Sequence, residues 1–218
     1  MFLKRFITLF ILSYSLSSQA QVLDTIRASF NKRPGLTGGF STRQTFIDVF
    51  KAPVLSAKIG VDFNNKVRMG GGISFLKDPY LSNRYVTDQG LTFPVKSSLH
   101  FQYFHYYFEY VYYKTKKWEF SVPIELGLGR TFNTYEVNSE KFTENKRIVF
   151  VYQPVVTGYY RFTYWFGIGA DVGYRFLLTG DKKNRQTFSA PVYAFNTIIF
   201  WGALYKKFFP ETRLAKRI

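Results

Sequence analysis

The chain has 218 residues, 46% of them hydrophobic and 21% aromatic, with 25 Phe, 17 Tyr and a formal net charge of +16. It contains no cysteine, which excludes disulfides, thiolate metal sites and a lipid attached through a cysteine. After the N-terminus no apolar run is long enough for a membrane-spanning helix, and mean hydropathy is -0.13.

Residues 1–20 read as a cleaved secretory signal peptide. Lys4 and Arg5 make a basic start, Phe6 to Leu12 an apolar middle, and Ser18-Gln19-Ala20 places small residues at the cleavage positions before Gln21. The alternative, an N-terminal membrane anchor, has too short an apolar run. Without the signal the chain stays strongly cationic, which suits acidic partners such as lipid phosphates or acidic glycans. Nucleic acid is disfavoured as a partner for an exported chain.

Gln21 to Pro34 has helical spacing, with Val22, Leu23, Ile26 and Phe30 on one face, and Pro34-Gly35 ends it. The 21–35 segment is expected as a periplasmic element, either a short helix at a barrel mouth or a mobile leader. Strand patterns follow. Leu36 to Ile47 is a weak first strand, with Phe40 and Phe46 on one face and Ser41, Arg43 and Thr45 on the other. After a loop at Asp48 to Pro53, Val54 to Phe63 alternates Leu55, Ala57, Ile59 and Val61 with Ser56, Lys58, Gly60 and Asp62. Asn64-Asn65 makes a tight turn, because Asn tolerates the left-handed conformation that hairpins need. Val67 to Lys77 returns, with Arg68, Gly70, Gly72 and Ser74 on its polar face.

Asp78 to Lys96 reads as a long loop. Ser98 to Lys114 is a Tyr-rich strand whose second face carries His105, Tyr107, Glu109 and Val111. A turn at Thr115-Lys116-Lys117 leads into Trp118 to Phe132, the clearest element of the chain. Trp118, Phe120, Val122, Ile124, Leu126 and Leu128 alternate with Glu119, Ser121, Pro123, Glu125, Gly127 and Gly129. Successive side chains of a strand point to opposite faces, so one face is continuously apolar over a length that spans a bilayer at a tilt. Trp118 becomes an anchor at one membrane interface, opposite in depth to Arg130 and Phe132. A charged loop at Tyr135 to Lys146 precedes the strand Arg147 to Tyr164. Trp165 to Leu178 places Asp171 and Arg175 on its polar face, Thr179 to Thr187 is a basic loop, and Ala190 to Phe208 is the last strand, of ambiguous phase.

Eight strands result, and short and long connections alternate strictly. This pattern predicts an all-β fold: an eight-stranded antiparallel up-and-down transmembrane β-barrel over 36–209, with short periplasmic turns and longer extracellular loops. Both mature termini fall on the periplasmic side, the C-terminal one as a basic tail at 210–218. An eight-stranded interior is just wide enough for side chains to fill it. Lys58, Asp62, Arg68, Glu109, Glu119, Glu125, Arg161, Asp171 and Arg175 are expected there as a closed ion-pair network rather than the lining of a pore.

On the alternating strands, the loop asymmetry and the signal, residues 36–208 resemble the small eight-stranded outer-membrane barrels of Gram-negative bacteria, the OmpA/OmpX-like superfamily. A looser likeness is to uncharacterised barrels with a stretch like Gly39-Phe40-Ser41-Thr42-Arg43 ahead of an Asn-Asn hairpin. That resemblance implies location in the cell outer membrane, with lipid, including lipopolysaccharide, as surroundings. Phe200-Trp201-Gly202-Ala203-Leu204-Tyr205 fits in part the glycine-and-aromatic insertion signal of such barrels, although Lys207 departs from it.

Some eight-stranded barrels modify lipid A, which directs attention to Ser98 and His100, a hydroxyl and an imidazole on one strand face. Outer-membrane lipid A deacylases carry a serine and a histidine two apart, but in the opposite order, and no orienting acid is evident here. His105 is expected as a lumen side chain bonded to Glu109 or Glu125. Glu119 and Glu125 lie about 20 Å apart along one strand, too far to act on a single bond, so ion pairing with Lys58, Arg68, Arg161 or Arg175 is expected instead. Gly70-Gly71-Gly72 precedes no helix and reads as close packing, not a phosphate loop. No metal-ligand cluster and no cofactor motif is expected. Lys141, Lys146, Arg147, Lys182, Lys183 and Arg185 are candidates for contact with lipid phosphates. The expected role is structural, adhesive or lipid-binding, with an accessory subunit of an outer-membrane secretion or assembly complex, and then a lipid A hydrolase, as alternatives.

Overall fold

A computed structural model describes residues 21–47, 50–77, 80–88, 91–137, 140–179, 185 and 189–212. The signal segment 1–20, Lys182, Lys183 and residues 213–218 of the tail therefore lie outside the described residues. Residues 21–30 form helix α1. Nine strands follow: β1 (Pro34–Ile47), β2 (Phe50–Phe63), β3 (Val67–Leu76), β4 (Tyr80–Asp88), β5 (Leu91–Lys114), β6 (Trp118–Val137), β7 (Glu140–Arg161), β8 (Phe166–Leu177) and β9 (Ala190–Ile199). A second helix, α2 (Trp201–Phe208), comes after them.

Every pairing is antiparallel, and all join chain neighbours except two that shape the molecule. β9 pairs with β1, from Gly38↔Ile199 to Gln44↔Tyr193. β3 pairs with β5, from Val67↔Tyr110 to Phe75↔Gln102, and so bypasses β4. Eight strands thereby close into an up-and-down barrel, and β4 lies outside the ring, hydrogen-bonded only to the first part of β5.

The expected strands are present, and their alternation sets the faces. Along β6 the odd-numbered side chains from Glu119 to Glu125 point inward and are buried, while Trp118, Ile124, Leu126 and Leu128 are exposed on the wall. The last strand, ambiguous in sequence, resolves with Ala190, Val192, Ala194, Asn196 and Ile198 inside.

Four expectations change. Within the stretch expected as a loop, Asp78 to Lys96, the described residues are two paired strands, with Tyr80↔Leu99 through Asp88↔Leu91 in register. The 135–146 segment likewise continues β6 and β7 to Val137↔Glu140. The chain at 50–53 is already strand, with Lys51 opposite Phe46. In each case polar residues that read as coil satisfy their backbone groups in a ladder. Finally, Ala190 to Phe208 is strand only to Ile199. Ile199 faces Phe166, the first residue of β8, so the chain beyond it has no β8 partner left. It folds into α2, which satisfies its own backbone hydrogen bonds.

The consequence is a lopsided barrel. At the turn end the strands finish close together. At the other end β4 and the extensions of β5, β6 and β7 rise as a four-stranded blade past β8 and β9, which have only 12 and 10 residues. At the turn end, Asn64 and Asn65 both adopt positive φ (54° each) as the central residues of a tight turn that Lys66 closes by donating its backbone N–H to Phe63 O at 3.0 Å. In the blade, Asn145 (φ 52°) accompanies a register shift between β6 and β7.

Candidate functional site

The interior divides into layers. Its lower polar layer is centred on Arg68, whose side chain is fully buried. Arg68 donates from Nε to Asp62 at 2.8 Å and from Nη1 to Glu109 at 3.0 Å, and its Nη2 pairs with Glu119. Glu119 also accepts from Arg161 and has Lys114 Nζ at 3.7 Å. Glu109 accepts from Ser121 at 2.7 Å and has Lys58 Nζ at 3.8 Å. These groups come from β2, β3, β5, β6 and β7, so the layer ties the ring together across its hollow.

A second layer lies further up. Arg43 on β1 makes a bidentate pair with Glu125 on β6, both bonds at 2.5 Å. Gln153 donates to Glu125 at 3.2 Å and accepts from Arg175 Nε at 3.0 Å. Arg175 also stacks against Phe101 and Tyr103, its guanidinium carbon 5.5 and 5.8 Å from their ring centroids. Asn196 donates to Asp171. The two layers hold Arg43, Lys58, Arg68, Lys114, Arg161 and Arg175 against Asp62, Glu109, Glu119, Glu125 and Asp171, so the buried charge nearly cancels.

Apolar clusters lie on either side of the polar layers. Towards the blade, Ala52, Val54, Leu76, Phe101, Tyr103, Val149, Val151 and Leu177 pack as an apolar cluster. Towards the turns, Tyr159, Ile198 and Phe200 form a second one with Ala203 of α2. The Phe200 ring lies beneath the guanidinium groups of Arg161 and Arg68, at 4.1 and 5.2 Å. A cavity of about 340 Å³ opens at this end among Lys32, Arg33, Asn64, Asn65, Arg161 and Lys206.

All nine residues expected inside are in the polar layers. Arg43 completes them; it shares a strand face with Ser41 and Thr45, but Gly38-Gly39 and the weak alternation of β1 obscure its phase. Lys114 and Gln153 also belong to the layers. The apolar clusters had no sequence signal, because Val or Leu on an inward face looks the same as on an outward one. The partners differ as well. Glu119 does pair with Arg68 and Arg161, whereas Glu125 takes Arg43, and Arg175 reaches it only through Gln153. His105 bonds neither Glu109 nor Glu125: its Nδ1 is 3.3 Å from Ser74 Oγ, which donates to Ser56 Oγ at 3.0 Å. The β3–β5 register puts His105 opposite Gly72, and a Cβ there would lie 2.6 Å from the imidazole Nε2. The glycine run thus makes room for this ring.

Ser98 and His100 are outside the barrel. His100 Nε2 is 3.0 Å from Thr134 Oγ1, and its ring stacks on Phe132 at 4.7 Å. Among the described contacts none joins His100 to Ser98 or to a carboxylate. Of the basic candidates, Lys141, Lys146 and Arg147 are exposed on β7, and Arg185 is exposed.

The outer wall is the other distinctive surface. Tyr106 (79% exposed), Phe195 (75%), Phe104 (71%), Ile148 (71%) and Val172 (68%) present large apolar side chains all round the ring. In water such a surface is a liability; against hydrocarbon it is what a barrel needs. At the turn end it finishes in aromatic residues, where Trp118 packs with Phe120 and Tyr160, and Trp165 with Phe166. Helix α2 lies along this rim, with Trp201 against Gly38 of β1 and an apolar groove between Leu36, Ile59, Leu204 and Phe208.

No protein-family model matches the chain, and the search of curated proteins finds no relative. Among solved structures it is similar to small eight-stranded outer-membrane barrels. Neisserial surface protein A is 10% identical with a TM-score of 0.49, covering 77% of this chain and 96% of that one. Ail, the attachment invasion locus protein of Yersinia pestis, seen also with the heparin analogue sucrose octasulfate, is 12% identical with a TM-score of 0.45, covering 76% and 96%. The architecture itself rests on the strand pairing of this chain.

Proposed function

We propose that this protein is an integral outer-membrane β-barrel that conducts nothing and catalyses nothing, and acts through its exposed surfaces in an adhesive or lipid-binding role. The observation that carries this reading is the apolar outer wall around nearly neutral polar layers with an apolar cluster on either side of them, an arrangement that supports a closed lumen. The blade faces the cell exterior and is the surface offered to an external partner. Its free edge along the upper part of β7 carries charges that discourage indiscriminate strand pairing, as in Lys141, Lys146 and Arg147. Arg147 lies opposite Thr131, near the level where the wall turns polar, whereas Lys141 lies six residues further out.

The test is conductance in a planar bilayer together with heat-modifiable gel mobility. A folded, modifiable barrel with no channel activity is expected; reproducible single-channel steps from the wild-type protein would overturn the closed-lumen reading. A second reading, an accessory subunit of an outer-membrane secretion or assembly complex, draws on the turn end. There α1, α2 and the cationic cavity add a periplasmic surface that a solitary barrel has no need of. Gentle extraction followed by native mass measurement decides: a lone barrel removes this reading.

A further inference from the structure

We infer that the outer wall carries a dedicated lipid A site, formed by Arg130, held by Gln102, at the head of an apolar groove across β3, β5, β6 and β7. This rests on the outer-membrane reading above and gives it a specific ligand site. The groove has a volume of about 650 Å³ and is lined by Ile73, Phe75, Phe104, Leu128 and Ile148, with Arg130 at its edge. These apolar side chains are between 40% and 71% exposed, so nothing else among the described residues covers them.

Arg130 is the exception on that wall. It follows Trp118, Ile124, Leu126 and Leu128 on the outward face of β6 and is itself exposed. From Trp118 to Arg130 is twelve residues, about 40 Å along a strand and roughly 28 Å along the barrel axis at a tilt near 45°. That is close to one hydrocarbon thickness, so with Trp118 in the periplasmic interface Arg130 reaches the opposite headgroup level. A cation there costs little, and a phosphate is its natural counter-ion.

The guanidinium is also fixed in place. Gln102 is its direct cross-strand partner, and in the amide orientation that satisfies both groups its oxygen accepts from Nε at 2.6 Å and Nη2 at 2.8 Å. The Phe132 ring supports it, 5.5 Å from the guanidinium carbon. One edge of the fork is therefore used for positioning, and Nη1 is oriented by a rigid group rather than a mobile chain. Two residues further out than Ile148, which faces Arg130 across the ladder, Lys146 adds a second exposed cation. A phosphorylated glucosamine headgroup above several acyl chains matches this arrangement of cations over a broad apolar groove. Ordinary phospholipid shares the phosphate, but belongs to the leaflet at the other end of the barrel.

The experiment compares wild type, Arg130→Glu, Arg130→Lys and Leu128→Trp, each first shown to be heat-modifiable in gels so that barrel formation is established separately. Lipid A retained after detergent extraction is quantified by native mass spectrometry. Rebinding is then measured to nanodiscs of phospholipid alone, or of phospholipid with diphosphoryl or monophosphoryl lipid A. At least a tenfold loss of lipid A retention is expected for Arg130→Glu and for the groove-filling Leu128→Trp, a smaller loss for Arg130→Lys, and a preference for the diphosphoryl form. Retention equal to wild type in both Arg130→Glu and Leu128→Trp, or equal binding to phospholipid alone, overturns the site while leaving the barrel reading intact. A protein without heat-modifiable folding in wild-type form would instead refute the barrel reading itself.

Discussion

The Arg43–Glu125 pair offers the sharpest test of how the lumen is held together. Both side chains are nearly inaccessible, at 2% and 1% exposure, and they meet through two parallel hydrogen bonds. Arg43→Met leaves Glu125 a buried carboxylate with Gln153 as its remaining donor. Glu125→Leu leaves Arg43 a buried cation with no carboxylate bonded to it. Breaking a buried pair from one side costs about 3–5 kcal/mol, a factor of roughly 10² to several times 10³ in the unfolding equilibrium. Removing both charges together is different, because neither ion is left to be desolvated unpaired. The double variant is expected within about 2 kcal/mol of wild type, against roughly 6–10 kcal/mol if the single costs added. Urea titration in lipid vesicles, followed by tryptophan fluorescence and gel mobility, measures all four corners of the cycle. A double variant as unstable as the sum of the singles would refute the argument, since the charges would then act independently.

Three further outcomes are expected. Gly72→Val drives a side chain into the His105 imidazole and the opposing strand, and should cost about 1–3 kcal/mol in the same titration, whereas Gly71→Ala, whose nearest neighbour would be 3.6 Å away, should cost distinctly less. A variant retaining Trp201 as its sole tryptophan should be quenched by brominated acyl chains and only weakly by aqueous acrylamide, because α2 lies along the aromatic rim; quenching by acrylamide comparable to free tryptophan would remove the helix from the membrane interface. Replacing Ser98 and His100 by alanine should leave cellular lipid A unchanged in its mass spectrum, as His100 is engaged with Thr134 and Phe132 rather than with a nucleophile.

How far the sequence carries can be followed through individual residues. Because a strand alternates strictly, Glu119 and Leu126 could be put on opposite faces with no knowledge of their neighbours, and the same rule placed Lys58, Arg68, Asp171 and Arg175 in the lumen. Turn chemistry was similarly local, since Asn64-Asn65 dictates a hairpin wherever it lies. Ion-pair partners are not local. Arg43 and Glu125 are 82 positions apart, and only the closure of β1 against β9 and of β3 against β5 brings them across one interior. His105 turned to Ser74 because ring closure set Gly72 beside it and the arginines had already taken the carboxylates.

The end of the chain shows the same division. Trp201 to Phe208 is compatible with either period, and its strand reading failed because the ladder ran out of β8 at Phe166. Tertiary structure also made paired strands of two polar stretches, since pairing needs only a partner backbone and not apolar side chains. By itself, then, the sequence determined the alternation, the faces and the eight crossings, all of which depend on period and length. Only the folded ring decided which charges meet, where the apolar clusters gather, which residue holds Arg130 from the neighbouring strand, and where the last strand becomes a helix, because each depends on residues that share no neighbourhood in the chain.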